Sequence, residues 1–125
     1  MNLEKRLKIL PSDPGRPLVS IVIYNYRHGA LAACLEHIFS QPLLLNFEVI
    51  IIDNGSSDDA TSGLNEKYPS LNLNIRRLES NQGFAAANNL GAGLARGEWL
   101  ALLNADAFPQ PDWLEKLLLA ARQHP

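Results

Sequence analysis

Leu18-Val-Ser-Ile-Val-Ile-Tyr24 and Phe47-Glu-Val-Ile-Ile-Ile52 are nearly continuous apolar runs rich in β-branched residues. That is the pattern of strands buried on both faces, as in a parallel sheet, and not of strands with one wet face. Between them Leu31, Leu35 and Ile38 fall on one helical face, and the segment ends near Ser40-Gln41-Pro42. Beyond the second run, Asp58 to Tyr68 reads as a shorter, polar helix. Leu73-Asn-Ile-Arg-Arg-Leu78 reads as a weaker third strand, more exposed because of its two arginines. Gly83 to Ala95 is small and apolar, a helix able to pack closely on a sheet, and Glu98-Trp-Leu-Ala-Leu-Leu103 is a fourth strand. Asp112 takes the N-cap position of a last helix carrying Trp113, Leu114, Leu117 and Leu118. Strand alternating with helix predicts an α/β fold: a Rossmann-like open, mainly parallel sheet, right-handed crossovers, and helices on both faces.

Ahead of this unit, Leu3, Leu7 and Leu10 share one face of a short amphipathic helix that stops at Pro11-Ser12-Asp13-Pro14-Gly15. Residues 1–16 therefore read as an accessory arm and 17–125 as the domain. The whole chain has 125 residues, 46% of them hydrophobic, with 11 Lys+Arg against 13 Asp+Glu. This near-balance argues against an electrostatic nucleic-acid binder or a polybasic membrane module. The single cysteine, Cys34, excludes an intramolecular disulfide framework and a cysteine-rich zinc site, and it reads as a small apolar core residue. No apolar run has a membrane-spanning length and the N-terminus has no signal-peptide block, so the expected setting is a soluble cytoplasmic domain.

In an open parallel sheet, ligands bind beyond the carboxyl ends of the strands, and there the unusual polar residues gather. Tyr24-Asn25-Tyr26-Arg27 follows the first strand and Asp53-Asn54-Gly55-Ser56-Ser57-Asp58 the second. Glu79-Ser80-Asn81-Gln82-Gly83 follows the third and Asn104-Ala105-Asp106 the fourth. Each cluster also has a structural reading. Asn54-Gly55 suits a turn, Ser or Asp a helix cap, and the tyrosines either packing or stacking on a base. Asp53 stands out, since a carboxylate directly after Val-Ile-Ile-Ile needs a partner or solvent at the sheet's edge. Asn88 and Asn89 are poor mid-helix residues that either bond elsewhere or face a ligand. In an extended chain Asn104 and Asp106 would point to the same side, a sparse oxygen set suited to a divalent cation shared with phosphates. The alternative is a simple turn before Phe108-Pro109-Gln110-Pro111. The histidines, His28, His37 and His124, form no metal pattern.

Taken together, Val19–Tyr26, Val49–Asp58, Asn81–Asn89 and Trp99–Asp106 resemble the family 2 glycosyltransferases, in order and spacing, and are especially similar to their rhamnosyltransferase-like members. The resemblance runs from about Pro17 to the last helix. It implies a GT-A fold whose N-terminal half binds a nucleoside-diphosphate sugar. It also implies that Tyr24, Asn25 and Tyr26 flank the base, that Asp53 with Asn54 and Gly55 meets the nucleoside, and that Asn81, Gly83 and Phe84 shape the pocket beside it. Asn104-Ala105-Asp106 occupies the family's Asp-x-Asp position with Asn in first place, which makes Asp106 the main ligand of a Mg²⁺ or Mn²⁺ ion. The implied reaction is inverting sugar transfer to an acceptor hydroxyl in polysaccharide or glycan synthesis, with the general base further along the chain. Because the chain ends at Arg122-Gln123-His124-Pro125, the expectation is a donor-binding half that binds nucleotide weakly, turns over poorly, and self-associates through an uncovered sheet edge or face.

Three rivals carry weaker signals. A receiver domain would place an acidic pair beside Asp53, but the first strand ends in Tyr24-Asn25-Tyr26. A dinucleotide-binding domain would carry G-x-G-x-x-G after that strand, and this chain does not. A non-catalytic fragment binding a sugar nucleotide or a partner protein is separable only by an activity assay.

Overall fold

A computed structural model describes residues 15–27, 29–42, 45–56, 59–71 and 73–123. The expected N-terminal helix, the start of the helix expected at Asp58, His28 and His124 lie outside the described residues. Four parallel strands, β1 (Val19–Asn25), β2 (Phe47–Asp53), β3 (Leu73–Arg77) and β4 (Trp99–Asn104), form one sheet in the order β3-β2-β1-β4. The two β-branched runs occupy the centre: every residue of β2 is buried, and so is every residue of β1 except half-buried Tyr24. β3 lies at one edge with Arg76 and Arg77 exposed, as its composition predicts. β4 is the other edge, and its Leu100 and Leu102 are 50% and 58% exposed.

Helices cover both faces unequally. α1 (Leu31–Phe39), the single turn α2 (Leu64–Lys67) and α4 (Trp113–Gln123) share one face. There Leu31, Leu35, Ile38, Leu64, Leu114 and Leu118 join Ile21, Ile23, Val49 and Ile51 in the main core. α3 (Phe84–Leu94) stands on the opposite face, where Ala87 packs with Val22, Ile50 and Ile52. The close approach comes from Gly91: a Cβ there would lie 2.4 Å from Val22 Cγ1 and 3.3 Å from Ile52 Cγ1. The longer helix expected over Asp58–Tyr68 shrinks to α2 and a 3₁₀ turn at Pro69–Leu71. Thr61-Ser62-Gly63 accounts for this, because its hydroxyls and its left-handed glycine (φ 74°) favour turns over helix.

Beneath the opposite rim a buried carboxylate ties the elements together. Glu48 accepts the Ser20 hydroxyl at 2.6 Å and the Arg96 N–H at 2.7 Å, and pairs with Arg96 Nε at 3.3 Å. Burial pushes its pKa up, but those hydrogen bonds and the Arg96 charge outweigh burial and leave it below the ordinary value. Arg16 donates to the carbonyls of Arg96 and Gly97, so the last residues of the arm seat against the α3–β4 connection.

Candidate functional site

Parallel register sets the site. Asn25 pairs with Asp53, Asp53 with Arg77, and Tyr24 with Asn104, so the polar segments after all four strands share one rim. Side chains alternate across a sheet, which divides these residues between its faces. Tyr24 follows Val22 onto the α3 side, whereas Asn25 and Asp53 follow Ile23 and Ile51 onto the α1 side.

On the α3 side the organising residue is Asn54, fully buried. Its Nδ2 lies 2.9 Å from Asn81 Oδ1, 3.3 Å from the Gly83 carbonyl and 3.3 Å from the Tyr24 hydroxyl. Its Oδ1 accepts the Gln82 N–H at 2.9 Å. One amide thus joins the ends of β1, β2 and β3 to the start of α3. Asn81 Oδ1 also accepts the Gly83 N–H at 2.8 Å. Gly55 permits the contact: at φ +81° its missing Cβ would lie 2.5 Å from Asn81 N and from Ser80 C. Phe84 is 57% exposed and meets Tyr24 edge to face, ring centroids 4.9 Å apart. It is therefore not core, and the two rings make an aromatic ledge beside the Asn54 cluster. Asn88 is buried and its Nδ2 donates to the Phe84 carbonyl at 3.0 Å, a bond within α3.

On the α1 side Asp53 is fully buried, so of the two expected ways to satisfy its carboxylate, a partner or solvent, it takes partners. Asn25 Nδ2 lies 3.3 Å from Oδ1 and Arg77 Nε 3.5 Å from Oδ2. Asn25 Oδ1 and Asp53 Oδ2 nonetheless lack a hydrogen bond. The Arg77 contact, at 3.5 Å, is a charge pairing longer than an ordinary N–H···O hydrogen bond. Arg77 also donates to the Ser56 carbonyl, and the Ser56 hydroxyl accepts the Arg27 N–H, closing the segment over Asp53. Tyr26 is half-buried beneath the Arg27 guanidinium, 5.1 Å from the ring centroid.

The fourth cluster is more open. Asn104 and Asp106 are exposed, while Ala105 is buried and donates to the Tyr24 carbonyl at 3.0 Å. β4 ends at Asn104, and the Ala107 N–H turns back to the Asn104 carbonyl at 3.0 Å. Strand alternation therefore stops before Asp106, and the expected extended arrangement of the Asn104–Asp106 pair gives way to a turn. Among the described residues no three His, Cys, Asp or Glu side chains converge. A lone exposed carboxylate beside an exposed amide fits a hard cation held largely by phosphate oxygens and does not fit an all-protein cage. Cys34 sits in the core as expected, its thiol pushed up to about 11 by burial and then by the Asp106 charge. Asp112 directly precedes α4, and its carboxylate pairs with Lys116 at 2.9 Å.

The amide role of Asn54 escapes sequence reading, because Asn-Gly is equally a turn dipeptide. Arg77 and Glu48 left a faint signal, each a charge inside a strand. Gln41 left none, though it bonds residues far along the chain.

Residues 18–125 match the profile described as glycosyl transferase family 2. Among similar proteins, the putative glycosyltransferase EpsH of Bacillus subtilis is 33% identical over 107 residues, covering 84% of this chain and 30% of its own length. The succinoglycan biosynthesis protein ExoO of Rhizobium meliloti is 37% identical over 103 residues, covering 82% and 29%. The chain thus spans about a third of the length of these relatives. Residues 1–349 of TarS from S. aureus, solved with UDP-GlcNAc, superpose with TM-score 0.73 at 26% identity, covering 85% of this chain and 31% of that one. The mannosyltransferase PcManGT from Pyrobaculum calidifontis, solved with GDP-Man and Mn²⁺, gives TM-score 0.75 at 28% identity, covering 92% and 36%.

Proposed function

The chain belongs to glycosyl transferase family 2 and has its GT-A fold, and on that premise we propose that it binds the nucleoside-diphosphate sugar donor for transfer to an acceptor hydroxyl. The observation that carries this reading is the Asn54 amide, which draws Tyr24, Asn81 and Gly83 together on the rim that also holds Asn104 and Asp106. Tyr24 and Phe84 offer a face and an edge for a nucleobase, with Tyr26 at the end of the same strand. Asn54, Gly55, Asn81 and Gly83 form the polar wall beside them. Asp53 and Asn25 serve the nucleoside from beneath, fixing Arg77 and the 54–56 turn; direct contact with a nucleoside would require that turn to lift.

Asp106, with Asn104 and Ala105 at its side, would hold a Mg²⁺ or Mn²⁺ ion shared with the donor's diphosphate. Such an ion, when bound, stabilises the departing diphosphate as a Lewis acid. The proposed transfer inverts the anomeric centre, with a general base outside the rim described above deprotonating the acceptor hydroxyl, and its product belongs to polysaccharide or glycan synthesis. The neighbours solved with UDP-GlcNAc and with GDP-Man and Mn²⁺ support the donor and metal parts of this reading. We assign the activity to the cytoplasm or the cytoplasmic face of a membrane, where a buried free thiol such as Cys34 stays reduced. No helix among the described residues is long and apolar enough to cross a membrane. The test is calorimetric titration with UDP, GDP and dTDP, with and without Mn²⁺, on the chain and on Asp106→Ala. Manganese-enhanced binding lost in the variant supports the reading; binding indifferent to both overturns it.

The chain also pairs with a second copy through β4. The N–H groups of Trp99 and Ala105 point to β1, so by alternation the main-chain groups of Leu100 and Leu102 point to the free edge. β4 carries no charge to repel its own copy, unlike β3 with Arg76 and Arg77. An antiparallel two-fold pairing puts Leu100 opposite Leu102 of the copy and Glu98 opposite Asn104. Light scattering is expected to give a dimer that Leu102→Lys dissociates; a strict monomer at high concentration refutes it.

A further inference from the structure

The segment that follows Asp106 is strapped to α1 by one buried side chain. Gln41, 2% exposed, sits just beyond the C-terminal end of α1. Its Nε2 donates to the Gln110 carbonyl at 2.7 Å and to the His37 carbonyl at 3.2 Å, and its Oε1 accepts the Leu114 N–H at 3.1 Å. Two carbonyls on one side and an N–H on the other fix which end of the amide is nitrogen. The Leu114 N–H belongs to the first turn of α4, where backbone donors have no partner within the helix. Gln41 therefore caps α4 from just past the end of α1 while holding the loop that leads into it. His37 adds a second strap, Nδ1 lying 3.2 Å from the Pro109 carbonyl and its ring 5.4 Å from that of Phe108.

These bonds bracket Asp106. Upstream, Ala105 is buried and bonded to the Tyr24 carbonyl. Downstream, Gln110 and Leu114 are bonded to Gln41. The turn's own Ala107–Asn104 bond shapes the loop, anchors on either side fix where that loop sits, and a cation shared with a diphosphate is held best when its protein ligand is in place beforehand. We infer that Gln41 is a positioning residue for Asp106, holding the turn so that its carboxylate meets the metal–diphosphate pair; this rests on the donor-site reading above.

The test substitutes Gln41→Met, which keeps the length and the packing and removes all three bonds. Nucleoside diphosphate binding is measured by calorimetry with and without Mn²⁺, alongside amide hydrogen exchange of residues 105–116. The expected result is unchanged metal-free affinity, faster exchange confined to that segment, and at least about a tenfold loss of the Mn²⁺-dependent gain. A merely structural role would lower metal-free and metal-dependent binding together or neither, and either pattern overturns the inference. Faster exchange with the Mn²⁺ gain intact overturns it too. If the unsubstituted chain shows no Mn²⁺ gain, or Asp106→Ala retains it, the donor-site reading fails instead, and the two failures are told apart by those controls.

Discussion

Replacing Asn54 by alanine is the sharpest perturbation of the rim. The side chain has two N–H hydrogens and one carbonyl, and the structure sets them against Asn81 Oδ1, the Gly83 carbonyl, the Tyr24 hydroxyl and the Gln82 N–H. Three acceptors share two hydrogens, so the count is three full bonds, each worth about 1 kcal/mol net. The partners on residues 81–83 are exposed and regain water on truncation, so the larger penalty for stranded buried groups does not apply to them. The expected loss is thus about 2–3 kcal/mol, a sizeable fraction of a domain's roughly 5–15 kcal/mol. With a urea m-value of about 1–3 kcal/mol/M, the unfolding midpoint falls by roughly 0.7–3 M at unchanged slope. Asn54→Asp is the control of equal size. A carboxylate still accepts from Gln82 but sets like charge density against Asn81 Oδ1 and the Gly83 carbonyl, and a comparable loss is expected above its pKa. Circular-dichroism urea titrations of both variants decide it. An alanine loss below about 0.5 kcal/mol, or an aspartate variant as stable as the parent, would refute the idea that this amide holds the rim together.

Gly91→Ala is expected to cost about 1–2 kcal/mol despite alanine's better helix propensity, because its Cβ would meet Val22 Cγ1 at 2.4 Å. In a Val22→Ala background that cost should shrink, as a double-mutant cycle by thermal unfolding will read. Gly55→Ala meets backbone 2.5 Å away at positive φ and should cost more than about 2 kcal/mol while weakening nucleotide binding. Glu48, depressed in the folded state from its ordinary 4.5, contributes stability that is full above that value and lost as pH falls through the folded one. Glu48→Gln should therefore flatten the acid limb of stability measured from about pH 6 to about pH 3. Cys34, its thiol pushed up to about 11 and buried, should resist iodoacetamide at neutral pH until the chain unfolds.

Much of the fold was legible because buried parallel strands announce themselves locally. Val19–Asn25 and Phe47–Asp53 carry β-branched runs that only a doubly covered strand tolerates, and both proved central. The arginines of β3 marked an edge correctly. The polar residues after each strand followed from the same alternation, since parallel strands bring all carboxyl ends to one border. The helix expected after Asp58 was misjudged in length because turn-forming Thr61-Ser62-Gly63 competes with helix where no long apolar face compensates. The Asn104–Asp106 geometry was misjudged because a strand's end is set by its neighbour, and β1 supplies no partner beyond the Tyr24 carbonyl.

By itself the sequence determined which segments become strands and helices, their parallel pairing, and the border where the polar residues gather, because periodicity and β-branching act within a few residues. Tertiary structure alone decided that Asp53 closes beneath the surface on one face while Tyr24, Asn54 and Asn81 join on the other. It also decided that Gln41 reaches across to anchor the turn after Asp106. Those outcomes depend on hydrogen-bond partners dozens of residues apart, and only the folded chain brings such groups within 3 Å or so of each other.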